Sequence, residues 1–216
     1  MKKRYLVLMC LVSWVVTTQA GVLSVVVTDK DGEPIVDAVV MATPNQSQTK
    51  IKQNQQTVVI DQVDKEFVHY VTVIPTGTPV QFPNSDNIRH HVYSFSPAKQ
   101  FELPLYMGTP AKPVIFEKPG VVKLGCNIHD WMVGYLYITD APFFKTTDKD
   151  GKAQLTDISA GKYNVQLWHP SMAVSDVASQ QTIVVGDTQK DTASFQLALK
   201  PALRPRRAPL SIQQGY

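Results

Sequence analysis

The sequence predicts an all-β protein built of sandwiches or barrels rather than a parallel sheet. Three observations carry this. Short segments of alternating or β-branched residues recur along the chain, turn signals separate them, and no long stretch repeats apolar residues at helical spacing. In order, strands are expected at Val22 to Thr28, Ile35 to Ala42, Thr57 to Ile60, Tyr70 to Ile74, Val80 to Phe82 and His91 to Phe95. The series continues at Val114 to Phe116, Val121 to Leu124, Val133 to Ile138, Tyr163 to Trp168, Thr182 to Val185 and Thr192 to Leu199. Asp31-Gly32, Pro75 to Gly77, Pro119-Gly120, Asp150-Gly151 and Gly186-Asp187 punctuate them, because glycine supplies left-handed backbone and proline presets a turn.

The first twenty residues stand outside this pattern. Lys2, Lys3 and Arg4 precede an apolar run from Tyr5 to Val16 and then Thr17-Thr18-Gln19-Ala20, the build of a secretory signal cleaved before Gly21. The run is too short to span a bilayer, and no later segment reads as transmembrane. A lipoprotein anchor at Cys10 is disfavoured by Met9, which stands where such signals want a small residue. Cleavage removes three of the 21 basic residues, leaving 18 against 18 acidic ones, so the net charge of +3 belongs to the targeting segment. Nothing in the mature charge points to nucleic acid or an anionic partner. The basic cluster that remains, Lys200, Arg204, Arg206 and Arg207, is interleaved with Pro201, Pro205 and Pro209 and is expected to be a disordered tail over residues 201–216.

Two boundaries divide the rest: a polar stretch at residues 43–56, and a connection at 139–147 through Pro142. The block between them, 57–139, holds four of the five histidines and Cys126. The flanks are complementary. Val27-Thr28-Asp29-Lys30-Asp31-Gly32-Glu33-Pro34-Ile35-Val36-Asp37-Ala38-Val39-Val40 resembles the opening hairpin of the carboxypeptidase-regulatory or transthyretin-like β-sandwich. Thr147 to Ile158, followed by Gly161-Lys162-Tyr163-Asn164-Val165, resembles that family's later strands. The resemblance implies one discontinuous sandwich, 21–56 with 140–200, interrupted by the block 57–139; two sequential domains are the alternative.

Signal cleavage removes Cys10 and leaves Cys126 as the one cysteine of an exported chain, where cysteines ordinarily pair. In Gly125-Cys126-Asn127-Ile128-His129-Asp130-Trp131-Met132 a thiol, an imidazole and a thioether recur at intervals of three. A thiolate with two imidazoles and a weak axial thioether is the donor set of a blue-copper electron-transfer site. One loop supplies three donors, and the remaining imidazole must come from His90-His91. Successive strand residues face opposite sides, so only one of His90 and His91 can face a metal, and alternation alone leaves both open. Structural zinc would want more Cys or His and no Met, and a binuclear copper centre would need a second cysteine.

These residues resemble the cupredoxins, above all the plastocyanin, pseudoazurin and amicyanin group, over residues 66–139. Phe82-Pro83-Asn84-Ser85-Asp86-Asn87-Ile88-Arg89-His90-His91-Val92 matches the strand and turn leading to that family's first ligand, with His91 where relatives carry Asn. Cys126, His129, Met132 and Gly134 match its second signature at the short amicyanin-like loop spacing. The resemblance implies a Greek-key sandwich beside the transthyretin-like one, and a single type 1 copper held by His90, Cys126, His129 and Met132. It makes His129 the electron port to a redox partner protein such as a cytochrome or a copper or quinone enzyme, in the periplasm. Sequences of this type also resemble proteins labelled methylamine-utilisation proteins, a label that names a pathway and not a role. Copper handling without a carrier role, or adhesion or ligand binding by the transthyretin-like part, are the competing functions.

Other candidates have plainer readings. His69 suits a surface or packing role and His169 a turn. Asp29, Asp31, Asp148 and Asp150 lack the spacing and glutamate of a calcium loop and read as hairpin turns. Phe95, Phe101, Tyr106, Phe116 and Tyr135 are expected in the core or on the rim. No phosphate loop, nucleophile triad or paired catalytic carboxylates occur, so the chain is expected not to be an enzyme.

Overall fold

The computed structural model describes residues 21–46, 56–172, 180–186 and 190–200. The expected signal segment, the middle of the polar stretch 43–56, Asp187 of the last predicted turn and the tail 201–216 lie outside the described residues. Those described are all-β, with strands and no helix.

The first hydrophobic core lies between two sheets drawn from both ends of the chain. β1 (Gly21–Thr28) pairs antiparallel with β14 (Lys152–Ile158) and parallel with β17 (Lys190–Gln196). Facing them are β2 (Val39–Pro44), β13 (Phe143–Thr146), β15 (Gly161–Trp168) and β16 (Gln180–Val185), in the order β13-β2-β15-β16. Strict alternation along β1 buries Leu23, Val25 and Val27 against Val40, Ala42, Val165, Leu167, Leu155 and Phe195. Each large side chain removed from water in this way contributes on the order of 2 kcal/mol.

The second core is made from the middle of the chain. A five-stranded sheet has the order β6 (Val71–Pro75), β12 (Val133–Thr139), β11 (Gly120–Cys126), β8 (His90–Ser96) and β9 (Lys99–Tyr106). A smaller sheet comprises β10 (Val114–Phe116), β7 (Thr78–Gln81) and β3 (Val58–Val59). Val80, Phe82, Phe116, Val122, Leu124, Leu136 and Ile138 are packed within this core, together with Cys126 and Met132. Phe82 stacks on Phe101 there, and Phe116 meets both rings edge-on.

A third cluster joins the two cores. Val39 and Met41, on the strand β2 whose Val40 and Ala42 enter the first core, meet Val71 and Ala141. Trp168 lies 6.0 Å from Tyr135 and 5.1 Å from Tyr137, ring centre to ring centre, and the Thr139 hydroxyl donates to Met41 Sδ at 3.4 Å.

Several elements differ from the expected strands. The strand expected from Ile35 starts only at Val39, because Asp37 takes a left-handed φ of 62° and turns the chain. The connection at 139–147 contains a strand of its own, β13. β9 has no counterpart among the expected strands; it contains Pro104 and lies at the sheet edge, where proline leaves no ladder bond unmade. The Asp-rich turns behave as hairpins: Asp29 Oδ1 accepts from the amides of Asp31 and Glu33, and Asp148 Oδ1 from those of Asp150 and Lys152.

Candidate metal centre

Cys126 is the last residue of β11 and His90 the first of β8, and these antiparallel neighbours pair Cys126 with Val92 and Gly125 with Tyr93. The pairing sets the cysteine beside the start of β8. Gly125 permits the close approach, since a Cβ there would lie 2.8 Å from Tyr93 Cζ. Beyond Cys126 the chain turns back, with the Met132 amide donating to His129 O at 2.9 Å and the Val133 amide to Trp131 O at 3.0 Å. This turn returns Met132 to the core and leaves His129 half-buried at the rim.

Cys126 Sγ lies 3.8 Å from His90 Nδ1 and 3.7 Å from His129 Nδ1. The three donor atoms all fall within 4.8 Å of one another, a candidate metal-binding group of buried His90, buried Cys126 and half-buried His129. A first-row ion about 2.3 Å from sulfur and about 2.05 Å from nitrogen, with the three donors in a plane around it, would hold the sulfur and nitrogen about 3.8 Å apart. The observed spacing matches that arrangement, and the soft and borderline donors suit copper. Met132, fully buried, lines with Cys126, Tyr93, Phe95 and Lys123 a cavity of about 410 Å³.

His90 and His91 diverge as strand alternation requires. His90 is 0% exposed, while His91 places Nε2 2.9 Å from Glu102 Oε1, a close contact without hydrogen-bond alignment. His69, at a left-handed φ of 69°, and His169, whose Nδ1 accepts from the Ser171 amide at 3.1 Å in a turn, lie outside the group. The Trp131 ring lies 5.2 Å from the His129 ring, centre to centre, tilted by 49°. Phe95 is 79% exposed, a rim position, and Tyr135 belongs to the cluster between the cores.

Burial, with the neighbouring His90 as the next cause, lowers the His129 pKa below the ordinary imidazole value, which favours the neutral, lone-pair-bearing ring. Behind His90 stands Asp86, a residue in the turn to which sequence reasoning assigned no role. Its Oδ2 lies 2.7 Å from His90 Nε2. Burial raises its pKa, but the hydrogen bonds from His90 and from the amides of Lys65 and Asp64 outweigh this and hold the carboxyl below its usual range. Asn84 pins the same turn, donating through Nδ2 to Ile88 O at 2.8 Å and Tyr106 O at 2.9 Å and accepting from the Asp86 amide at 3.0 Å. Gln62 was missed as well: its Nε2 donates to Pro83 O at 2.9 Å and to the Tyr106 hydroxyl at 2.5 Å, and that hydroxyl donates to Phe82 O at 2.7 Å. The one sequence signal for Asp86 is its place four residues before His90 in a turn-forming segment.

No family model matches the sequence, and no curated protein does. Among solved structures, a copper-containing nitrite reductase from Thermus scotoductus SA-01 aligns at 25% identity and a TM-score of 0.37, over 45% of this chain and 25% of that one. The chain spans about a quarter of that enzyme's length. A reduced Cu(I) form of an amicyanin mutant aligns at 18% identity and a TM-score of 0.35, over 46% of this chain and 99% of that one. A purple cupredoxin from Nitrosopumilus maritimus aligns at 24% identity and a TM-score of 0.34, over 39% and 100%. The similarity is to copper proteins, over less than half of this chain. It also corrects the expectation that the chain is not an enzyme, since a copper-containing nitrite reductase stands among the neighbours.

Proposed function

We propose that the protein is an exported type 1 copper protein that passes single electrons between redox partners. One observation carries the reading: Nδ1 of His90, Sγ of Cys126 and Nδ1 of His129 converge at the end of a rigid β-sandwich. Cys126 as thiolate, with the His90 and His129 imidazoles, would hold one copper ion, and Met132 would supply the weaker fourth donor. Copper contributes a one-electron couple, in which the thiolate favours Cu(I) and the imidazoles accept Cu(II).

The chain's own residues do the rest. β8 and β11, joined by their ladder, hold His90 and Cys126 in place, so little moves when an electron arrives or leaves. His90 and Met132 are shut from water by the core, while half-buried His129 beside exposed Ile128 offers the route to a partner such as a cytochrome or a copper or quinone enzyme. No atoms are exchanged: one electron is taken from a reduced partner and given to an oxidised one.

The same reading divides the chain into a signal segment (1–20), a transthyretin-like sandwich (21–56 and 140–200), an inserted cupredoxin block (57–139) and a tail (201–216), and places the mature protein in the periplasm. Support for the insertion comes from the first core, which draws on β1 and β2 from one side of the block and β13 to β17 from the other. Among the described residues no helix is long and apolar enough to cross a membrane.

The test is the visible spectrum of purified, copper-loaded protein. An intense thiolate-to-copper band that disappears in Cys126→Ser is expected. Colourless loaded protein, with bound copper unaffected by that substitution, overturns the reading.

A further inference from the structure

We propose that Asp86 is the positioning residue of the metal centre: its carboxylate fixes His90 as the Nε2–H tautomer, aims Nδ1 at Cys126, and favours the more highly charged state of the bound ion. The inference rests on the copper reading above and deepens it.

A neutral imidazole carries one proton. With Nε2 2.7 Å from Asp86 Oδ2, a proton on Nδ1 would leave two lone pairs facing each other at Nε2, in a place where His90 has no water to turn to. The contact therefore selects Nε2–H and frees the Nδ1 lone pair, the atom that faces Cys126 Sγ. A ligating histidine whose second nitrogen is held by a carboxylate is oriented and made a stronger donor.

The carboxylate is itself held. β4 (Gln62–Val63) and β5 (Glu66–Phe67) form a hairpin whose two turn residues, Asp64 and Lys65, adopt left-handed φ values of 55° and 60°. Neither is glycine, so the turn is disfavoured by itself. Its amides point at Asp86, Asp64 N donating to Oδ1 at 2.7 Å and Lys65 N to Oδ2 at 2.9 Å. Three donors thus converge on two oxygens. An asparagine has only one acceptor oxygen and would present its NH₂ to one of these donors, so it cannot replace the aspartate. The hairpin, the turn of Asp86 and the first histidine form one connected unit, with a formal negative charge one imidazole away from the ion.

Two measurements test this. In metal-free protein at mildly alkaline pH, nitrogen NMR of His90 should show the Nε2–H tautomer, and Asp86→Asn should lose its predominance. In copper-loaded protein, Asp86→Asn should weaken Cu(II) binding about tenfold more than Cu(I) binding, within the range that loss of such a partner produces, and so raise the one-electron potential by about 59 mV. A His90 Nδ1–H tautomer in wild type, or an unchanged ratio of Cu(II) to Cu(I) affinity in Asp86→Asn, overturns the proposal. Should Asp86→Asn fail to fold, the wild-type tautomer still decides. A wild-type protein without the visible band would overturn the copper reading, while the metal-free tautomer would still judge the Asp86 contact.

Discussion

Nδ1 of His90 lies 3.8 Å from Sγ of Cys126, although 36 positions separate the two residues in the chain. Neighbouring strands create the contact: β8 begins where β11 ends, and only the inward-facing histidine of the pair can reach the sulfur.

His90 and His91 should therefore behave oppositely. His90→Ala removes a direct donor and is expected to weaken copper binding by more than about 100-fold, beyond the effect of losing a supporting residue. It also removes one of the three hydrogen bonds to the Asp86 carboxylate, at a cost to stability of about 1 to 3 kcal/mol. His91→Ala, which touches Glu102 on the other face, is expected to leave affinity unchanged. Competition against a copper chelator measures both.

Copper should stabilise the core that contains Cys126. A ligand at about 100 times its Kd adds about 2.7 kcal/mol to the folded state. Hydrogen exchange of β8, β11 and β12 should slow on loading, while β1, β14 and β17 should change little. Equal slowing in both cores would argue against a separately folding block.

Gly151 occupies a left-handed φ of 68°, and a Cβ there would lie 2.5 Å from the backbone oxygen of Val27 and 3.1 Å from Pro34 Cβ. The obstruction is backbone and cannot swing aside. Gly151→Ala should cost about 2 to 4 kcal/mol, read as a lower denaturant midpoint.

Burial pushes the Tyr106 hydroxyl up to about 12, against the opposing hydrogen bond from Gln62. The unfolded chain releases this proton near pH 10 and the folded chain retains it to about 12, so the stability it contributes is full below about 10 and declines as pH rises through that window. Denaturation measured across the alkaline range should show this slope, and Tyr106→Phe should flatten it.

Local pattern made part of the molecule legible in advance. Alternation identified β1, β12 and β15, because a half-buried strand shows its two faces in every second residue. The loop from Cys126 to Met132 was legible because its three sulfur and nitrogen donors are neighbours in sequence. β9 was hidden by Pro104, whose tolerance depends on an edge position that no local pattern reveals. Asp86 and Gln62 were hidden because an aspartate or glutamine in a turn looks the same whether its partner is water or a buried ring 4 or 44 residues away.

The sequence by itself determined the all-β class and the donor types gathered in one short loop, since periodicity and spacing are short-range properties of the chain. The tertiary structure decided the parallel pairing of β1 with β17, the placement of His90 rather than His91 against Cys126, and the carboxylate behind it. Those outcomes depend on which strand ends meet across the sheet, and strand pairing is set by the packing of whole cores.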